Sequence, residues 1–193
     1  MQIPNIIKET CNGYFVHTIR DEMLMHREVE CVGPVNEESV NSLILQLRYL
    51  ERQDPAGKIT IYINSPGGEV SSGLALYDVM KAVRCPIRTV CMGLAASMGA
   101  VLLAAGNERE MLAHSRVMIH DPLIAGNGMK GSALYLDSKV KDLMNTRDII
   151  AGILSEHTHR TKEEILEYTA RDTYFYAEEA IEFGLADRII TQL

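Results

Sequence analysis

The sequence predicts an α/β or α+β domain, a sheet covered by helices, and three observations carry that expectation. Short β-branched runs (KITIYI at 58–63, IRTVCM at 87–92, SRVMIHDP at 115–122) alternate with segments of helical period. Turn-forming stretches separate them: Gly33-Pro34, Asp54-Pro55-Ala56-Gly57 and Asn64-Ser65-Pro66-Gly67-Gly68. The chain has 193 residues, 47% hydrophobic and 23% charged, the size and balance of one globular domain with a single core. Strand–helix units repeated in this way imply helices packed on a sheet.

In chain order, residues 1–27 are mixed: Gly13 interrupts them, Tyr14–Ile19 reads as a short strand, and 20–28 has weak helical character. Glu28-Val29-Glu30-Cys31-Val32 alternates as a strand with one wet face. From Asn36, a capping residue, Val40, Leu43, Ile44, Leu47 and Leu50 recur on one helical face. The strand 58–63 leads through NSPGGEV (64–70) into a helix at 72–83. The strand 87–92 passes Gly93 and reaches Ser97 at the start of a small-residue helix. Short strands follow at 109–112 and 115–122. After the glycine-rich stretch 123–131, a helix from about Ser132 to His157 carries Leu136, Val140, Leu143, Ile150 and Leu154 as an apolar stripe. Its length suits a helix that projects and packs against a partner. Thr161 and Glu164 form a capping box for a helix ending near Tyr168. A short helix closed by Gly184 and a strand at 186–190 complete the chain.

Composition excludes several classes of function. A net charge of −7 with scattered Lys and Arg offers no basic patch for nucleic acid. The N-terminus lacks a basic region followed by a long apolar run, so no secretory signal is read. The uncharged stretch Thr89–Asn107 is rich in Gly, Ala and Ser and reads as core rather than as a membrane span. Cys11, Cys31, Cys85 and Cys91 have neither metal-ligand nor CxxC spacing, which implies reduced thiols of a cytoplasmic protein and no metal.

Two stretches have chemical content. Ser97, between a strand and a helix, sits where first-turn N–H groups and the helix dipole stabilise developing negative charge, as an acyl-transfer nucleophile requires. Its plain alternative is close packing, since Ala95, Ala96, Gly99 and Ala100 around it are all small. In NSPGGEV, Gly67 and Gly68 permit positive φ and leave N–H groups open to a ligand. The same residues also make an ordinary βα turn, and the GxxxxGK[ST] phosphate-loop spacing is absent.

Taken together, YINSPGGEVSSGLALYDVM, CMGLAASMGA, SRVMIHDP and ARDTYFYAEEAIEFGLAD resemble the ClpP family of ATP-dependent serine proteases, in the family's order and separations, from about Val35 to the end. The opening IPNIIKET resembles the start of the mature family core, which implies little or no propeptide. The resemblance implies the ClpP/crotonase fold of repeated ββα units, with 1–32 as an axial N-terminal region and about 123–157 as a handle strand and helix. It assigns Ser97 as nucleophile, His120 as general base and then acid, and Asp172 as the orienting carboxylate. The backbone N–H groups of Gly68 and Met98 correspond to the oxyanion hole. His17, His26, His114, His157 and His159 match no motif and read as solvated or core histidines. Asp121 adjoins His120, but neighbouring strand residues point to opposite faces, so Asp172 is preferred.

The resemblance further implies two heptameric rings stacked as a tetradecamer, fed with unfolded protein by an AAA+ unfoldase that uses the ATP. This chain would need no cofactor, no nucleic acid and no membrane. The sequence departs from the family pattern at Ala170, where an acidic residue usually precedes the arginine, at the longer segment after His120, at Thr60 and Ala82 near the docking pocket that Tyr62 matches, and at Glu28 and Glu30. These departures make a specialised or regulatory paralogue, completed by a second ClpP-type subunit, the alternative reading. A crotonase-type acyl-CoA enzyme is a remote one.

Overall fold

A computed structural model describes residues 4–11, 13–124 and 130–193. The N-terminal strands β1 (Asn5–Thr10) and β2 (Gly13–Thr18) form an antiparallel hairpin, with Asn5 opposite Thr18 and Thr10 opposite Gly13. β2 meets the expectation for Tyr14–Ile19; β1 has no sequence signature, because Ile6 and Ile7 are adjacent and Lys8, Glu9 and Thr10 follow in a row, so no alternation marks an apolar face. Thr18 then caps the short helix α1 (Ile19–Met25), with Asp21 returning the hydrogen bond to the cap backbone.

The main sheet begins with β3 (Glu28–Val32), in which Val29 and Cys31 are buried and Glu28 and Glu30 half-buried, as the alternation predicts. Helix α2 (Glu37–Gln53) starts at the Asn36 cap and buries Val40, Leu43, Leu47 and Leu50. Strand β4 (Ile59–Ser65), helix α3 (Val70–Ala82), strand β5 (Ile87–Ala96) and helix α4 (Met98–Ala104) follow, then β6 (Glu108–Leu112) and β7 (Arg116–Ile119). Strands β3, β4, β5 and β6 run parallel in spatial order, so the chain crosses over through a helix between each strand and the next, α2, α3 and α4 in turn. Val29, Cys31, Ile59, Ile61, Ile63, Ile87, Cys91 and Met111 share one core with residues of α2, α3 and α4.

The long strand β5 divides its far edge between two partners. Arg88–Cys91 pair with β6, whereas Leu94–Ala96 pair with β7, also in parallel. Gly93 lies at the division with φ +104°, and its N–H donates to Ser115 Oγ at 2.8 Å. A left-handed residue there lets the strand change direction without strain.

Helix α5 (Ala133–Thr158) is capped by Ser132 and runs 26 residues. Only its second half is moored, through Ile150, Ala151, Leu154 and Thr158. Of the expected apolar stripe, Ile150 and Leu154 are buried, Leu136 and Leu143 half-buried and Val140 exposed; Leu134, Met144 and Ile149, outside that stripe, also lie in the open, Leu134 at 83% exposure. Within the glycine-rich stretch before α5, residues 125–129 lie outside the described residues. Helix α6 (Lys162–Thr169) has the Thr161–Glu164 capping box. Strand β8 (Thr173–Tyr176) pairs antiparallel with β7, helix α7 (Ala177–Phe183) ends at Gly184 in the left-handed conformation, and β9 (Arg188–Ile190) adds to β6. The result is the mixed, mostly parallel α/β architecture expected of the ClpP/crotonase fold. Among the described residues no helix is long and apolar enough to cross a membrane.

Candidate active site

Three adjacent strands deliver the candidate residues to one end of the sheet. Ser97 follows the last residue of β5 and precedes α4, with φ 54° and ψ −119°. A side-chain-bearing residue in that region is strained by about 1–3 kcal/mol, and the surroundings hold it there. The Ser97 N–H donates to Met118 O at 2.8 Å, and Ser97 O accepts from Ala100 and Val101 N–H at 3.0 and 3.3 Å. This sharp turn lifts the hydroxyl out of the sheet and leaves it part exposed.

His120 follows β7 directly. The parallel β5–β7 register sets Ala96 beside Met118, which brings the residues just beyond each strand together. Ser97 Oγ and His120 Nε2 are 2.9 Å apart. On the other side, the antiparallel β7–β8 register pairs Ile119 with Thr173. One step further along both strands His120 faces Asp172, and Nδ1 lies 3.3 Å from Asp172 Oδ1. His120 is 16% exposed and Asp172 63%. An ion pair that open adds little stability by itself.

The two glycines of NSPGGEV pack directly on this turn. Gly67 has φ +84°, and a Cβ there would lie 2.6 Å from Ala96 O, 2.7 Å from Ser97 Cβ and 3.0 Å from Met98 N. Gly68 has φ +154°, and its Cβ would lie 2.2 Å from Val35 O. Val35 N–H donates to Gly67 O at 2.9 Å, and Glu69 N–H donates to Val35 O at 2.8 Å. In a parallel bridge of this kind the groups of the intervening residue point away from the partner strand. The Gly68 N–H therefore faces away from Val35, and the Met98 N–H belongs to the first turn of α4, where no intrahelical acceptor exists.

An open groove of ≈ 1160 Å³ runs past Ser97 and His120, lined among others by Pro66, Gly68, Val70, Leu74 and Leu143. An apolar recess formed by Val70, Met98, Val101, Ile119 and Ile150 opens beside the same two residues. Asp121 points elsewhere. Its Oδ2 accepts from Arg147 Nε and its Oδ1 from Thr169 Oγ1, both at 2.6 Å. Arg147 and Thr169 were not singled out from the sequence, since each lies more than 25 residues from Asp121 and has no local signature.

The other titratable groups stand apart. His157 contacts Tyr77 Oη at 3.1 Å, and burial, helped by Lys81, lowers its pKa. His17 packs against Phe15 and Glu22, while His26, His114 and His159 are exposed. Burial pushes the Cys31 thiol up to about 11 and the Cys91 thiol up to about 12, the reverse of a thiolate nucleophile. Among the described residues no group of three or more His, Cys, Asp or Glu side chains is arranged to hold a metal ion.

A serine hydroxyl within hydrogen-bond reach of an imidazole, a carboxylate at that imidazole's other nitrogen, and backbone N–H groups at the neighbouring turn and helix start make an arrangement suited to acyl transfer. Comparison with known proteins points the same way: the family model for Clp protease matches residues 12–193.

Proposed function

The chain belongs to the Clp protease family, a family of peptidases, and on that premise we propose that it is a serine endopeptidase acting on unfolded protein through Ser97, His120 and Asp172. The 2.9 Å contact between Ser97 Oγ and His120 Nε2 carries the reading. In the first step His120 Nε2 takes the hydroxyl proton as Ser97 Oγ attacks the scissile carbonyl. Asp172 stabilises the imidazolium at Nδ1. The tetrahedral oxyanion is held by the Gly68 and Met98 N–H groups, one such donor being worth about 10²–10³ in rate. The imidazolium then gives its proton to the leaving amine, and the Ser97 ester remains. A water activated by the same imidazole attacks the ester, and collapse of the second tetrahedral intermediate frees Ser97 and the new carboxylate.

In this proposal the chain works in the cytoplasm as two stacked heptameric rings and receives substrate from an AAA+ unfoldase. That partner uses ATP, and the chain itself takes no cofactor. The uncovered apolar residues of α5, among them Val140 and Met144, supply a surface for ring-to-ring packing. Ala170 favours the second reading, a specialised subunit completed by a ClpP-type paralogue, because the acidic residue usual at that ring contact is missing.

Intact mass after exposure to a fluorophosphonate tests the triad in the parent chain and in Ser97→Ala and His120→Ala. One adduct on the parent and none on either variant is expected. A folded parent that takes no adduct would overturn the self-sufficient protease, and labelling restored by an added paralogue would establish the second reading.

A further inference from the structure

Resting on that reading of the site, we propose that Asp121 is a positioning residue. It couples the segment bearing the base to the segment bearing the acid, and ties both to helix α5. Its carboxylate is doubly engaged, by Arg147 from α5 and by the Thr169 hydroxyl at the end of α6, both at 2.6 Å. Its own N–H donates to Thr169 O at 2.7 Å. Arg147 Nη2 reaches Leu166 O at 3.3 Å, so one guanidinium joins α6 and Asp121 to the long helix.

The place of these bonds in the chain gives them their effect. Asp121 is covalently next to His120, and Thr169 stands three residues before Asp172. The His120–Asp172 contact is formed just beyond the β7–β8 ladder, whose last pair is Ile119 with Thr173. Beyond that pair no ladder hydrogen bond holds either chain segment. The Asp121–Thr169 pair closes the gap, making a ring of two hydrogen bonds from carboxylate and backbone. Thr169 is 3% exposed, so water does not readily replace this partner. A segment held at both ends restricts the movement of the residue between. With the carboxylate removed only the backbone bond from residue 121 to Thr169 O remains, His120 and Asp172 gain freedom to separate, and a misplacement of about 1 Å lowers a rate about 10²-fold.

The same geometry makes α5 a lever on the site. Its first half leaves the core, and Arg147 sits one turn before the first buried residue, Ile150. A contact that shifts the projecting half moves the guanidinium, and through Asp121 it moves the backbone of His120. The charge-assisted Arg147–Asp121 bond and the Asp121–Thr169 bond are the contacts that join α5 to this segment.

Fluorophosphonate labelling separates rate from stoichiometry and provides the test. For Asp121→Ala the second-order labelling constant is expected to fall about 30- to 100-fold, while the end-point stoichiometry stays that of the parent. Thr169→Val removes the hydroxyl donor at nearly constant volume. It is expected to lose several-fold, and Asp121→Ala combined with Thr169→Val should be no slower than Asp121→Ala alone. A purely structural role would instead lower the stoichiometry. Amide hydrogen exchange read at 119–123 and 169–174 is independent of catalysis. Faster exchange confined to those two segments in Asp121→Ala supports the clamp even where the parent fails to label, a failure that sinks only the protease reading. Unchanged exchange there, or labelling at the parent's rate, overturns the inference.

Discussion

Replacing Gly68 with alanine strikes the proposed oxyanion site without touching a catalytic side chain. The new Cβ would sit 2.2 Å from Val35 O, against ordinary contact at 3.4 Å and beyond. Val35 is 2% exposed and bonded to both neighbours of Gly68, at Gly67 O and Glu69 N, so it has little room to retreat. Residue 68 must therefore move by about 1 Å and carry its N–H away from the oxyanion position, a displacement that costs about 10²-fold in rate. Outright loss of one donor costs about 10²–10³. The φ of +154° adds backbone strain for alanine of about 1–3 kcal/mol. The expected result for Gly68→Ala is a melting temperature a few degrees lower and fluorophosphonate labelling slowed at least about 100-fold, with Ser97 still the labelled residue. Gly152→Ala is the control: nothing lies within 4 Å of its Cβ, and a helix-interior alanine stabilises by about 0.5–1 kcal/mol. Labelling of Gly68→Ala within threefold of the parent would refute the assignment of that N–H.

Two further consequences concern stability. Ser97→Gly is expected to be more stable than Ser97→Ala by about 1 kcal/mol and so to melt at a higher temperature. Both lose the hydroxyl, but only glycine accepts φ 54° without strain, and equal melting temperatures would remove the case for a strained turn. Glu110 is 2% exposed. Burial opposes its ionisation, but the hydrogen bonds from Arg88 and Arg188 outweigh burial and hold its carboxyl below the ordinary 4.5. A lowered folded pKa means stability present above the unfolded value and lost as pH falls through the folded one. The parent should therefore lose melting temperature below about pH 4.5, and Glu110→Gln should lower stability at pH 7 and flatten that acid slope. An acid slope unchanged in Glu110→Gln would show that other carboxylates carry it.

Much of this protein was legible as sequence because the signals are local. Asn36 and the Thr161–Glu164 box announce their helices through hydrogen bonds that span three residues. Alternation in 28–32 shows which face of β3 is wet, and two adjacent glycines announce a turn that no Cβ can enter. Ser97 stood out for the same reason, as the junction between a β-branched run and a helix. His120 and Asp172 were different: only the set of four motifs in order distinguished them from ordinary surface residues.

Tertiary structure decided what depends on pairing between distant segments. TYFY at 173–176 is too short to display a period, and it becomes β8 only because β7 offers it an edge. That pairing sets Asp172 opposite His120, so the acid's geometry could not be read from the residues around it. Asp121 shows the same limit: its engagement with Arg147 and Thr169 appears only once α5 and α6 have packed. Local hydrogen bonding and steric freedom are written into neighbouring residues, whereas register and ion pairing depend on which surfaces the core brings together.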